Sequence, residues 1–404
     1  MEYLHHLGKY ELGKELGEGA TSVVREAVHT ESGKKYAMKI FKALSKKSCF
    51  DNEVEALLAV DHPNVVRVHE VFEVAERGRL EDRVDPCPPS HRQGRRFSRE
   101  MSTPSRSSEK VGKSRRKSSF DDDKDDPPTL SETASTENES ESSGDSVPSL
   151  LSCQEGEFQA NSTTSVEAKE ELFAVPPRTP PQPKRTYTTC GTRAIVLPLS
   201  SNGDVLSYLL DGGAFEERVA RTLFKRCLEA VQACHNAGIL HRDVKPDNLL
   251  FTENFDVLLS DFGFSRRRPD DEENVKLYGD LGSRGYIAPE VGDGKGYDHR
   301  CDLWSLGVTL FVMMTGRPPY ASESPRDYWF NLLLNRRYSR FWRVVELLHK
   351  HSFPDMFKDL INKMLCPEPA ERITIEKALE HPWMREQLLS QNDLASIMRN
   401  HSNN

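Results

Sequence analysis

The sequence predicts an α+β fold, a small β-rich part followed by a larger helical part, with a long disordered insert between them. Three observations carry that expectation. Residues 10–40 alternate apolar and polar side chains around turn glycines Gly17, Gly19 and Gly33, the pattern of strands and hairpins. From Asp204 onward apolar residues return at helical spacing, and all four tryptophans (Trp304, Trp329, Trp342 and Trp383) lie in this part. Between Glu81 and Pro180 there are only four aromatics, Phe97, Phe120, Phe158 and Phe173.

Taken in chain order, Tyr10 to Ile40 supplies strands and hairpins, and Asn52 to Val60 is a helix that stops before His62-Pro63. Val65 to Val74 is a further strand. Serine, proline and opposed charge blocks then take over, with Arg115-Arg116-Lys117 followed by Asp121-Asp122-Asp123. Such a segment buries too little apolar surface to offset its ordering entropy, so 78–190 is expected to be disordered. Ala194 to Leu199 is a short apolar strand, and Phe215 to Ala237 and Asp302 to Met314 are the main helices expected after it. Residues 10–77 and 191–384 are then the ordered stretches on either side of the insert. A long loop there is tolerable because closure entropy grows only logarithmically with length. Residues 385–404 form a short tail, in which Leu388-Leu389 and Leu394-Ala395 allow at most a short amphipathic helix.

Bulk properties exclude several classes. A formal net charge of -8 over 404 residues gives no strong pull toward nucleic acid or anionic lipid. The eight cysteines never occur as Cys-x-x-Cys, so neither a zinc site nor a disulfide framework is expected. Residues 1–10 lack the apolar core of a signal peptide, and no stretch approaches the roughly 20 apolar residues of a membrane span. These features fit a cytoplasmic or nuclear protein that binds neither nucleic acid nor membrane.

The chemistry is concentrated in His241-Arg242-Asp243-Val244-Lys245-Pro246-Asp247-Asn248, with Asp261-Phe262-Gly263 further on. Phosphoryl transfer needs one carboxylate to accept the proton of the attacking hydroxyl, and an amide and a second carboxylate to hold metal ions against phosphates. Each short motif alone is a common surface turn. Together and in order they resemble the catalytic and metal loops of the eukaryotic protein kinase family, serine/threonine type, with a texture most like the calcium/calmodulin-dependent group.

The resemblance implies a bilobal protein kinase fold, one domain over 10–384 interrupted by 78–190 between its fourth and fifth strands, with ATP and Mg2+ as cofactors and a role for each matching residue. Asp243 is the catalytic base, Lys245 neutralises charge on the γ-phosphate, and Asn248 and Asp261 hold the metal. Leu16-Gly17-Glu18-Gly19-Ala20-Thr21-Ser22 resembles the glycine-rich loop, with Ser22 where the pattern has its third glycine. Lys39 holds the α- and β-phosphates and pairs with a helix glutamate, either Glu53 or Glu55, with Glu53 preferred by its distance to His62-Pro63. Leu197 fills the gatekeeper position, the Pro198 carbonyl accepts from the adenine amino group, and the Ser200 N–H donates. Val24, Ala37 and Leu250 sandwich the adenine, and Asp204 contacts ribose. Glu290, of Ala288-Pro289-Glu290, pairs with Arg372. Asp302 braces the catalytic loop, and the Ser283 hydroxyl bonds Asp243 and Lys245.

The same resemblance points to protein substrates carrying basic residues before the phosphoacceptor, received by Asp204 and Asp247. Arg242 suggests control by negative charge, yet the usual threonine position is Gly279. Either a fixed carboxylate such as Asp280 substitutes for phosphate, or the acidic run there is a solvated loop. Ser98 and Ser118 follow basic clusters that fit autophosphorylation or a nuclear signal, and Pro180 to Arg185 fits a polyproline-binding partner. The alternative to an active enzyme is a pseudokinase or scaffold recruiting partners through the insert.

Overall fold

The computed structural model describes residues 5–43, 47–74, 84–85, 183–188, 191–268, 277, 282–293 and 296–401. Its small lobe is a sheet of β1 (His6–Leu7), β2 (Tyr10–Glu18), β3 (Ser22–His29), β4 (Lys35–Phe41), β5 (Glu70–Val74), β6 (Val84–Asp85), β7 (Lys184–Thr188) and β8 (Ala194–Pro198). The spatial order is β1-β2-β3-β4-β8-β5-β7-β6. Successive neighbours are antiparallel from β1 through β5, whereas β7 runs parallel to both β5 and β6.

Strand alternation gives this sheet two apolar faces. Tyr10, Leu12, Met38, Ile40, Phe72, Ala194 and Val196 close one face as a small core of their own. Val71 and Ile195 point the other way and join the large core. Helix α1 (Lys47–Ala59) packs on that second face, and buries Phe50, Glu53, Val54, Ala56 and Leu57 at helical spacing. The alternation that sends Met38 and Ile40 to one core therefore sends Lys39 toward α1.

The large lobe is built on α4 (Arg300–Thr315), whose residues from Cys301 to Thr315 are all buried. A helix apolar all round belongs at the centre of a core, and Gly316 ends it in the left-handed region at φ 70°. Around it lie α2 (Val205–Gly212), α3 (Glu217–Asn236), α5 (Tyr328–Leu334), α6 (Tyr338–His349), α7 (Asp355–Met364), α8 (Ile375–Leu379), α9 (Pro382–Arg385) and α10 (Gln391–His401). A small hairpin, β10 (Leu249–Phe251) with β11 (Val257–Leu259), and the antiparallel pair that encloses it, β9 (Ile239–Leu240) with β12 (Arg266–Arg267), carry the site loops between them. The tail contributes α10, whose Leu394, Ala395 and Met398 enter the large core. Among the described residues no helix is long and apolar enough to cross a membrane.

Two expectations are corrected. The strand expected over Val65–Val74 begins only at Glu70. Val66 instead donates to Leu259 O at 3.0 Å, and Asn64 Nδ2 to Val257 O at 2.8 Å, so this stretch ties the small lobe to the large one. The disordered insert was expected to run to 190, but Lys184–Thr188 forms β7 on the sheet. The reason is Glu70, a carboxylate only 6 % exposed. It accepts from Thr186 Oγ1 at 2.5 Å and Tyr10 Oη at 2.9 Å, with Lys184 Nζ at 3.4 Å, while Arg185 pairs with Glu73 at 2.5 Å. Lys184 and Arg185, the basic end of the proline-rich segment, are thus engaged within the sheet. Val84–Asp85, also within the expected insert, pairs with β7 as β6. Ser98, Ser118 and Pro180 lie outside the described residues.

Removing a donor from a buried carboxylate costs about 1–3 kcal/mol. Thr186→Val is expected to lower stability by that amount, read as a lower midpoint in urea or thermal unfolding. An unchanged midpoint would show that β7 adds nothing to the lobe.

Candidate active site

Lys39 is nearly buried and lies between two carboxylates. Its Nζ is 2.6 Å and 2.8 Å from the two oxygens of Glu53 and 2.7 Å from Asp261 Oδ1. Glu53 is only 1 % exposed, whereas Glu55 lies on the outer face of α1 near Arg267 at 3.5 Å. Of the two glutamates considered, the structure brings Glu53 to Lys39. The three groups together carry one surplus negative charge. Burial alone would lower the proton affinity of Lys39, but Glu53 and Asp261 outweigh it and hold the ammonium well above its usual range. Burial, helped by Asp261, pushes the Glu53 carboxyl up against the pull of Lys39. Asp261 is also partly desolvated, yet Lys39 and the Gly263 N–H keep its carboxyl below the ordinary value. Its backbone is left-handed at φ 58°, and its side chain remains 48 % exposed, open to the cleft.

The loop from His241 to Asn248 is fixed from behind by Asp302, which is fully buried. Asp302 accepts from the backbone N–H of His241 at 3.0 Å and of Arg242 at 2.8 Å, and from His235 Nε2 at 2.8 Å. Burial opposes its charge, but His235 and these amides prevail and hold the carboxyl below the usual range. The buried His241 ring is pushed toward the neutral form by desolvation. Its Nε2–H donates to Ser260 O at 3.1 Å, and its Nδ1 accepts from the Asp243 N–H at 3.3 Å.

Asp243 is 2 % exposed and has both oxygens engaged. The Ser283 N–H donates to Oδ1 at 2.8 Å, and Asn248 Nδ2 and Lys245 Nζ each lie 3.0 Å from Oδ2. The expected hydroxyl bond is corrected here: Ser283 meets Asp243 through its backbone N–H, while its Oγ accepts from Lys245 Nζ. The N–H is the group that the chain turn at Gly282, at φ 127°, presents to the loop. Arg242, itself left-handed at φ 65°, donates to Phe264 O at 2.7 Å and Tyr297 Oη at 3.1 Å. Gly279 and Asp280 lie outside the described residues.

Strand register gathers the expected nucleotide residues. Val24 stands opposite Lys39, and Ala37 opposite Leu197, so all four share the face toward the large lobe. Leu250 bridges to Asp204, bringing that pair to the far side of the cleft. Asp204 accepts from the Ser207 N–H at 2.8 Å and so caps α2. The Ser200 hydroxyl donates to Gly203 O at 2.9 Å and Phe251 O at 2.5 Å, fixing the turn after the exposed Pro198. A Cβ built on Gly17 would meet no atom within 4 Å, so its neighbours do not require the glycine. Leu16, beside it, is 42 % exposed. This open strand turn, flanked by apolar side chains, suits a nucleotide triphosphate. Mg2+ prefers hard oxygen donors. Asn248 turns its amide NH2 onto Asp243, at 2.7 Å from the carbonyl, which leaves its amide oxygen as the free acceptor. That oxygen and the Asp261 carboxylate are a fitting donor pair.

Two contributors had no signature in the sequence. His235 lies at the end of α3, away from the motif it supports, and Glu323 accepts from the N–H groups of Gly285 and Ile287 (3.4 Å for Ile287). Glu290 and Arg372 meet as expected, in a two-pronged pair at 2.6 Å and 2.9 Å that anchors the Ala-Pro-Glu turn.

The depressed Asp302 carboxyl gives a pH test. Its charged form is favoured by folding, so its contribution is fully present above the unfolded value of about 4 and fades as pH falls through the lower folded value. The stability difference between wild type and Asp302→Asn, measured by urea unfolding, should therefore be greatest near neutrality and shrink below about pH 4.

The sequence profile described as Protein kinase domain matches residues 10–80 and 183–384, the same two stretches that build the lobes. The chain is 31 % identical to Aurora kinase of Dictyostelium discoideum over 191 residues, 47 % of this chain and 46 % of that protein. Calcium/calmodulin-dependent protein kinase type 1 of Caenorhabditis briggsae is 33 % identical over 196 residues, 47 % of this chain and 51 % of that protein. Serine/threonine-protein kinase cds1 of Schizosaccharomyces pombe is 35 % identical over 195 residues, 47 % of this chain and 41 % of that protein. The chain spans about half the length of the curated relatives it matches. A match that resumes at residue 183, one residue before β7, leaves the fold and the family in agreement on both sides of the insert: the chain belongs to the protein kinase domain family.

Proposed function

We propose that this protein transfers the γ-phosphoryl group of ATP to serine or threonine hydroxyls of protein substrates, with Asp243 as the base. The observation that carries the reading is the state of Asp243. It is a carboxylate oriented by three donors, one of them the cationic Lys245, within a loop braced by Asp302. In this role Asp243 aligns the substrate hydroxyl and takes its proton as the new O–P bond forms and the bond to the β-phosphate oxygen breaks. Lys245 offsets charge on the moving phosphoryl group. Lys39, kept cationic by Glu53 and Asp261, holds the non-reacting phosphates. When bound between Asn248 and Asp261, Mg2+ supplies neutralising charge to the phosphates. Exposed Asp247 and the Asp204 carboxylate favour basic residues in the docked peptide. The proposed specificity agrees with the names of the relatives, which include calcium/calmodulin-dependent and other serine/threonine kinases.

A degenerate serine/threonine peptide library with labelled ATP tests this. Wild type should incorporate phosphate, and Asp243→Asn should lose about 10²- to 10⁴-fold in rate, the usual contribution of a positioned base. Equal incorporation by the two proteins would refute Asp243 as the base.

A further inference from the structure

We propose that Arg284 selects an acidic side chain beside the phosphoacceptor of the protein substrate. The inference rests on the kinase reading above and specifies its substrate class. Arg284 is exposed and directly follows Ser283. Ser283 donates its N–H to Asp243 Oδ1 at 2.8 Å and accepts at Oγ from Lys245. The guanidinium is thus carried one residue from the group that touches the base.

Other charges around this point are engaged. Lys245 sits on Asp243, Arg242 on Phe264 O and Tyr297 Oη, Arg300 on Asp298, and Arg372 on Glu290. Among the described residues Arg284 has no hydrogen bond or ion pair. The nearby Glu323 does not serve it, because its Oε1 accepts from the backbone N–H groups of Gly285 and Ile287. The same contact fixes the backbone that carries Arg284. Gly285 follows at φ +92°, and a Cβ built there would meet nothing within 4 Å, so the chain next to Arg284 is open.

An exposed guanidinium without a partner offers a planar fork of donors suited to a carboxylate, and repels an ammonium. Asp247 lies elsewhere in the same site, near enough, with Asp243, to add to the effect of burial on the Tyr286 hydroxyl. The docking surface is therefore bipolar. Asp247 favours a basic residue on one part of the peptide, and Arg284 favours an acidic residue close to the acceptor.

Serine peptides in which each flanking position is Asp, Glu, Ala or Lys in turn test the assignment. At one position next to or near the acceptor, wild type should prefer Asp or Glu over Lys by roughly two- to fivefold in kcat/KM, the scale of an exposed ion pair. Arg284→Gln should erase that ratio, and Arg284→Glu should invert it toward Lys, while preferences at the other positions persist. A ratio within one variant is unaffected by a general loss of activity. The same ratio in all three proteins, or a wild-type preference for Lys at every flanking position, would overturn the proposal. Should wild type phosphorylate no peptide, the kinase reading fails first. Fluorescence anisotropy with acidic- and basic-flanked peptides then decides separately, and equal affinities, or affinities unmoved in Arg284→Glu, would sink the role of Arg284.

Discussion

The buried ammonium of Lys39 is the constraint on which the site depends. A charge removed from water must be paired, and breaking such a pair on one side costs about 3–5 kcal/mol. Lys39 finds its partners in segments far away in sequence, Glu53 on α1 and Asp261 beyond the large-lobe hairpin. Satisfying it therefore settles three things together: which face α1 turns inward, how far α1 approaches the sheet, and where the Asp261 loop stands. Strand alternation supplies the starting condition, because Met38 and Ile40 are claimed by the outer core of the sheet and leave Lys39 no other direction.

The catalytic loop obeys a parallel logic from the other lobe. Asp302 is a fully buried anion, and its donors are two backbone amides and His235. Those amides belong to His241 and to Arg242 itself, whose left-handed backbone costs about 1–3 kcal/mol unless its surroundings hold it. Asp261 is bent in the same way and held by Lys39. At both places a conformation disfavoured for an L-residue is maintained by an electrostatic contact that the fold needs in any case. The carboxylates of the candidate site are thus preorganised by charges already required for folding.

What was legible in the sequence follows from this division. The contiguous loop from His241 to Asn248, the glycine-rich turn and the order of strands and helices are local, and local pattern shows them. Glu53 could be preferred over Glu55 only by distance along the chain, and the contact with Lys39 had to come from packing. His235 and Glu323 were invisible because each acts on a backbone amide or carboxylate distant in sequence, and a residue that serves distant backbone leaves no motif. Ser283 was expected at the right place but through the wrong atom, since hydroxyl and N–H differ only in how the chain turns at Gly282. The late start of the strand expected over Val65–Val74 had a similar origin. Its first residues have strand character, but their partner, Leu259, belongs to the other lobe.

The strand after the insert extends this reasoning to the rest of the chain. β7 joins a sheet edge parallel to β5, and parallel neighbours need a connection of a dozen or more residues rather than a hairpin. Composition cannot announce such a strand, because Lys184, Arg185 and Thr186 are as polar as the segment before them. Their fitness lies in what they meet: Thr186 and Lys184 reach buried Glu70, and Arg185 reaches Glu73. The ordering entropy of a short strand is offset here by satisfying one carboxylate that would otherwise be buried with fewer donors. Each doubling of the intervening length adds only about 0.6 kcal/mol to closure. The length between Val74 and Lys184 is therefore nearly free to vary, whereas the identity of the residues that meet Glu70 is not.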